Sequence, residues 1–255
     1  MLHLTLPPCW LHRHLLQTDS TMLYLRQAPE EEEGVGRFFL VTADYQTAGR
    51  GQRGNHWEAE AGQNLLFGIR FQPQGIPAAR QFVLSESQAM AVLRALWAIG
   101  IEARVKWPND IYVGDAKLGG MLLEHDLCGA HIRTTITGVG LNVNQRRFLS
   151  DAPNPVSLCQ LLERDVPRGP LMSAIAEAFA DEIRLLTADG GHDLHRRYMA
   201  ALYRRTGLHP FTDAAGSFTA RIADVAPDGR LHLIDSDGRD RHYWFKEVQF
   251  VIPAP

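Results

Sequence analysis

Beyond Gly100 the chain breaks into strand-length apolar runs, residues 101–107, 110–113, 119–127 and 130–144, cut by turn signals at Pro108-Asn109 and Gly114-Asp115. Parallel neighbours need long crossovers, whereas hairpins need only a few residues, so this spacing predicts an antiparallel or mixed sheet. Upstream, residues 38–43 and 64–71 read as buried strands on either side of a polar, glycine-rich stretch over 44–63. Twenty residues are too many for a plain connection. Phe82, Ala89, Leu93, Leu96 and Trp97 recur at helical period, predicting a helix over 78–99 stopped by Gly100. Ser20 or Thr21 is placed to cap a short helix carrying Met22, Leu23 and Leu25. Residues 170–186 and 192–203 also read as helices. From Gly207 the texture changes to short alternating strands turned at Asp228-Gly229 and Asp237-Gly238, the pattern of a small β-barrel. The expected fold class is α+β: a mixed or antiparallel sheet with packed helices over 1–206, and a small barrel over 207–255.

With 255 residues, 45% of them hydrophobic, the chain can bury a large core without help from cross-links. A formal charge of −3 gives no basic footprint for nucleic acid. Cys9, Cys128 and Cys159 are odd in number and lack metal-ligand spacing, which argues against a disulfide framework or a zinc site and fits a reducing, cytoplasmic setting. Residues 1–17 contain no apolar run long enough for a signal or a span, so no membrane partner is expected. The acidic run 30–33 reads as a solvated loop. His12, His14, His192 and His195 form no metal-type cluster and read as surface or capping residues.

Two segments carry chemistry. Gly49, Gly51 and Gly54 satisfy G-x-G-x-x-G, but no helix starts there, and Gln74-Gly75 stands where the ribose-binding acid should be, so the dinucleotide reading fails. By themselves these glycines fit an ordinary flexible turn equally well. Arg50 and Arg53 among them favour a loop that gathers donors on phosphate or carboxylate oxygens and closes over a ligand. In Lys106-Trp107-Pro108-Asn109-Asp110 proline sets a turn while a cation, an amide and a carboxylate cluster at strand ends. That is either a polar hairpin turn or a site supplying a cation for phosphate and an acid for magnesium or an amine. Lys117, followed by Gly119 and Gly120, adds a second cation where backbone can approach a ligand closely. Trp57 and Trp107 are open to either a pocket or a core role.

Asp19-Ser20-Thr21, Tyr45-Gln46-Thr47-Ala48-Gly49-Arg50-Gly51, Lys106-Trp107-Pro108-Asn109-Asp110 with Lys117, and Gly138-Val139-Gly140-Leu141-Asn142 together strongly resemble biotin protein ligases, in order and in spacing. The resemblance covers nearly the whole chain and implies that the barrel is SH3-like. It implies a two-step reaction with biotin and ATP as substrates and Mg²⁺ as cofactor. Biotin is activated to biotinyl-5′-AMP with release of pyrophosphate, then passed to a lysine of a biotin carboxyl carrier protein or domain of a biotin-dependent carboxylase. No enzyme nucleophile is needed, in keeping with the lack of a Ser/His/Asp or Cys/His set.

The family pattern implies catalytic roles for Lys117, Arg50 and Asp110, with Lys117 bridging carboxylate and α-phosphate and Asp110 holding magnesium or orienting the acceptor amine. It puts Ser20, Thr21, Met22, Gln46, Arg50, Gly51, Gln52 and Lys117 on biotin, and Arg53, Trp57, Lys106, Asn109 and Asn142 on ATP or the adenylate. Three residues depart from it. Gln52 stands where Arg is common, which predicts easier escape of the adenylate. Met22 replaces a usual Asn near the biotin head, and Phe245-Lys246-Glu247 replaces a glycine-rich turn in the barrel. Eighteen residues before Asp19 are too few for a helix-turn-helix, so a ligase without repressor function is expected. The rival readings are a lipoate or octanoate transferase and a non-catalytic biotin or adenylate sensor. An exposed sheet edge would allow a homodimer.

Overall fold

The computed structural model describes residues 2–29, 37–51, 56–149 and 154–252. A seven-stranded sheet is built from β1 (Trp10–Thr18), β2 (Phe38–Gln46), β3 (Leu65–Phe71), β4 (Arg104–Lys106), β5 (Asp110–Val113), β6 (Ala116–Cys128) and β7 (His131–Leu141) in the order β1-β2-β3-β7-β6-β5-β4. Every neighbour is antiparallel except β1 with β2, so the sheet is mixed. The 44–63 stretch joins two antiparallel strands, β2 and β3, which rules out a dinucleotide-binding βαβ unit at Gly49.

Both faces of this sheet are covered. Along β2, Phe38 and Leu40 enter the main core while Phe39 and Val41 enter a second cluster, the two-residue alternation of a strand buried on both sides. Over the main core lie α2 (Phe82–Ala98), α4 (Arg168–Asp189) and α5 (His192–Ala200). The short α1 (Thr21–Gln27) covers the other face through Met22 and Leu25, against Phe39, Val41 and Ile136. A helix of seven residues is not stable by itself. Arg70, buried on β3, fixes its end by donating to the carbonyls of Leu25, Ala28 and Pro29. The helical period over 78–99 resolves into a 3-10 turn, Ala78–Arg80, followed by α2, with Gly100 at φ +84° ending it. A further helix, α3 (Leu158–Leu162), begins with Ser157 and Gln160 in a capping box.

The second sheet is β8 (His209–Asp213), β9 (Gly216–Val225), β10 (Leu231–Asp235), β11 (Asp240–Tyr243) and β12 (Val248–Phe250), antiparallel in the order β11-β10-β9-β8-β12. It docks against the first. The β9–β10 turn lies on α2, where Phe82 N–H donates to the Pro227 carbonyl at 3.2 Å, and Trp107 Nε1 donates to the Gly229 carbonyl at 2.9 Å. Phe245, between β11 and β12, meets Trp107 edge-on.

Two histidine readings are corrected by packing. His12 and His14, on the same face of β1, both hydrogen-bond the buried Thr42 hydroxyl, at 2.9 and 3.0 Å, and His14 also reaches Asp44. His195 is a bridge between helix and barrel: its imidazole lies 2.7 Å from the Glu86 carboxylate on α2 and 3.0 Å from Asp224 on β9. Cys9, Cys128 and Cys159 are free thiols. Among the described residues, no group of three His, Cys, Asp or Glu is placed to hold a metal, and no helix is long and apolar enough to cross a membrane.

Candidate active site

A cleft of about 580 Å³ opens where α1, the β2–β3 loop and the β5–β6–β7 strands converge. Ser20, Thr21, Met22 and Gln46 form one end. Ser20 occupies the N-cap position of α1, yet its side chain makes no capping bond and its hydroxyl lines the cleft instead. Thr21 donates to Gln46 Oε1 twice, from backbone N–H at 2.8 Å and from its hydroxyl at 3.1 Å. With that oxygen occupied, the Gln46 amide presents its Nε2 hydrogens as donors.

The floor is a glycine shelf. Gly120 pairs with Gly140 and Leu122 with Gly138 across β6 and β7, and each glycine makes room for a side chain lying flat on the strand. A Cβ at Gly140 would sit 2.3 Å from the Trp57 ring, and one at Gly138 would sit 2.6 Å from Met22 Sδ. Trp57 is held there because its N–H donates to the Gly49 carbonyl at 3.0 Å and because Arg50 and His56 form a β-bridge. These contacts pin both ends of the glycine-rich loop. Among the described residues the buried Trp57 Nε1 has no acceptor.

Cations stand at the middle of the cleft. Lys117 Nζ lies 2.7 Å from Asp110 Oδ1 and 5.8 Å from the Trp57 ring centroid. Lys106 Nζ lies between the rings of Tyr112 and Phe250, 5.3 and 5.2 Å from their centroids. Burial pushes its ammonium below the ordinary lysine range; Asp110 opposes that shift and Lys117 adds to it. Asn109 lines the cleft while locking the turn: its Nδ2 donates to the Met121 carbonyl, and Met121 N–H donates back to its own at 2.9 Å. Trp107 is buried between the two sheets.

At the far end Asn142, 4% exposed, donates from Nδ2 to the Val156 carbonyl at 3.1 Å. Its Oδ1 is buried and without a donor among the described residues. Phe148, Pro155 and Glu58 complete this end, and Phe245 reaches the cleft from the second sheet. Sequence reading missed Phe148, Pro155 and Glu58, since none lies in a motif with its own chemical signature, whereas Phe245 belongs to the barrel turn it had marked as departing from the family pattern. Arg50 and Gly51 line the cleft, while Gln52 and Arg53 lie outside the described residues.

The cleft thus gathers Ser20, Thr21, Met22, Gln46, Arg50, Gly51, Trp57, Lys106, Asn109, Asp110, Lys117 and Asn142 around one space. Residues 16–142, which include all twelve, match the family model described as Biotin/lipoate A/B protein ligase family. That stretch is a domain of this family.

Individual relatives agree. The bifunctional ligase/repressor BirA of Bacillus subtilis is 32% identical over 211 residues, 80% of this chain and 64% of that protein. The biotin–[acetyl-CoA-carboxylase] ligase of Paracoccus denitrificans is 39% identical over 134 residues, 51% of this chain and 53% of that one. The chain therefore spans between half and two thirds of the length of these two relatives. Among solved structures, the biotin protein ligase of Aquifex aeolicus in complex with biotin and ATP superposes with a TM-score of 0.76 at 21% identity, covering 95% of this chain and 99% of that one. That likeness is one of fold, and it covers both sheets.

Proposed function

We propose that this chain is an ATP-dependent, AMP-forming biotin protein ligase, with a catalytic domain over 1–206 and a small SH3-like barrel over 207–255. The observation that carries the reading is the Lys117–Asp110 pair, set between two differently built ends of one cleft. At about 3.3 Å per residue, Gly138 on β7 and Asn142, one residue past its end, lie about 13 Å apart, enough to separate a head group from a nucleotide base.

Gln46 Nε2 donors and the Ser20 and Thr21 hydroxyls match the carbonyl and N–H groups of a ureido ring, while Met22 gives an apolar wall for the thioether ring beside it and Trp57, which the family pattern puts on the adenylate, extends that wall towards Lys117. The Asn142 Oδ1 acceptor matches the exocyclic amino group of adenine. Lys117 then lies between the biotin carboxylate and the α-phosphate. Two anions approach each other only if their charge is neutralised, and a positioned ammonium does this without reorganisation.

In the first step a carboxylate oxygen of biotin bonds to the α-phosphorus as the bond from that phosphorus to the β-phosphate bridging oxygen breaks, and pyrophosphate leaves. Arg50, at the edge of the loop, covers the mixed anhydride. In the second step a carrier lysine amine attacks the acyl carbon; the C–N bond forms, the C–O bond to AMP breaks, and the amine loses a proton. Lys117 and Arg50 stay beside the departing phosphate. Asp110 is a single carboxylate, too little for an all-protein metal cage but suited to magnesium that is mainly held by ATP phosphates, where the ion supplies further charge neutralisation. Asp110 also orients Lys117.

Incubation with ATP, magnesium and a biotin carboxyl carrier domain tests the proposal. Biotin is expected to label the carrier lysine, and lipoate and octanoate are expected to leave it unlabelled. Carrier labelling by lipoate or octanoate in place of biotin would overturn the reading in favour of a related transferase. Biotin binding without turnover would overturn it in favour of a sensor.

A further inference from the structure

Past the buried Gln145, residues 146–149 are held to the core mainly by polar contacts. Arg146, Arg147 and Leu149 are exposed, Leu149 to 89%, and only Phe148 turns inward, onto the cleft. The Leu149 N–H donates to both carboxylate oxygens of Glu58, at 2.9 and 3.2 Å, and Gln145 Nε2 donates to the same carboxylate at 3.3 Å. Gln145 is itself buried, accepting from Glu60 N–H at 2.9 Å and from Asn64 Nδ2. On the opposite side Gln160 Nε2 donates to the Arg146 carbonyl at 3.2 Å.

Glu58 directly follows Trp57, whose ring lies on the glycine shelf. One residue thus joins two walls: the loop that presents Arg50 and Trp57, and the segment after Asn142 that presents Phe148 to the cleft. A carboxylate is well suited to this, since an ionised acceptor binds backbone N–H more strongly than a neutral one.

We propose that Glu58 is a positioning residue that sets the Phe148 wall at the nucleotide end of the cleft against the Trp57 loop. The inference rests on the biotin ligase reading above and adds to it a residue outside every motif. Glu58 acts through the backbone it holds. Because the segment carrying Phe148 follows directly on Asn142 in the chain, loss of the tether loosens the nucleotide and leaves the Ser20–Gln46 end as it is.

The test is steady-state pyrophosphate release by wild type, Glu58→Ala and Glu58→Gln, with thermal melts of all three. Glu58→Ala is expected to raise KM for ATP about tenfold, the scale of one lost hydrogen bond to a charged acceptor, with KM for biotin and Tm near wild type. Glu58→Gln keeps one carbonyl acceptor for Leu149 N–H and is expected to recover most of the loss. An unchanged KM for ATP in Glu58→Ala would overturn the proposal, as would equal rises in both KM values accompanied by a lower Tm. Absence of biotin-dependent release from the wild type would overturn the ligase reading and this inference together, whereas normal wild-type turnover with an unaffected Glu58→Ala overturns this inference alone.

Discussion

Lys117 Nζ and Asp110 Oδ1 meet at 2.7 Å on the β5–β6 hairpin, and Lys117 is anchored on its other side by backbone bonds from its N–H to Asn154 O at 2.7 Å and from Val156 N–H to its carbonyl at 2.9 Å. Side chain and backbone of this residue are therefore fixed before any ligand arrives. Preorganisation of this kind separates a charge that stabilises a transition state from one that merely attracts an anion. Lys117→Ala is expected to lower kcat for adenylate formation by about 10²- to 10³-fold, about 3–4 kcal/mol. Lys117→Arg should recover little, because a planar fork cannot replace a compact ammonium beside Asp110. Single-turnover rates of pyrophosphate release measure both, and a wild-type rate in Lys117→Ala would remove the residue from the mechanism.

The glycine shelf makes a separate claim about shape. Alanine at position 140 brings a methyl group to 2.3 Å from the Trp57 ring, and the ring must leave the strand to accommodate it. Biotin affinity measured by titration calorimetry should fall at least tenfold, about 1.4 kcal/mol or more, as the Trp57 wall is displaced. Unaltered affinity in Gly140→Ala would show that Trp57 takes no part in the pocket.

Met22 packs its sulfur over Gly138 beside Gln46 and Ser20. Met22→Asn places an amide where the ureido ring would lie, and one added hydrogen bond of about 1 kcal/mol should lower KM for biotin roughly fivefold. The comparison to make is biotin against an analogue lacking the ureido group: only biotin should gain. Equal gains for both would place the head group elsewhere.

His195 gives the fold a pH response. Held between Glu86 and Asp224, its imidazole is pushed up to about 9 from 6.5, chiefly by the hydrogen bond it donates to the Glu86 carboxylate. Glu86 is also raised, by burial first, with His195 and Arg80 opposing. Both shifts mean that the folded chain holds more protons than the unfolded one, so stability falls as pH rises. The His195 contribution is complete below pH 6.5 and is lost as pH climbs through about 9. Thermal melts should show Tm declining over that window in wild type and declining less in His195→Gln; parallel curves would contradict the bridge.

Much of this was legible in the chain. Gly100, at φ +84°, marks the end of α2, and Pro108-Asn109 and Gly114-Asp115 punctuate β4, β5 and β6 because turn geometry is local. The cleft residues in the four family motifs were legible for the same reason: each motif combines unusual backbone with a reactive group. β1 was hidden, since Trp10–Thr18 carries histidines at 12 and 14 whose polar pairing with Thr42 belongs to a partner strand far along the chain. The beginning of residues 101–107 lies outside β4, which spans only Arg104–Lys106. Glu58, Gln145 and His195 were illegible because their roles consist of bonds to residues 29 to 109 positions away. Sequence spacing does not encode such contacts.

The central claim is that one cleft joins biotin to AMP around Lys117. Mass spectrometry of the protein after incubation with biotin, ATP and magnesium, without any carrier, tests it most directly. The account predicts biotinyl-5′-AMP that requires both substrates and is abolished in Lys117→Ala. Absence of the adenylate from the wild type, or its formation at the same rate in Lys117→Ala, would contradict it.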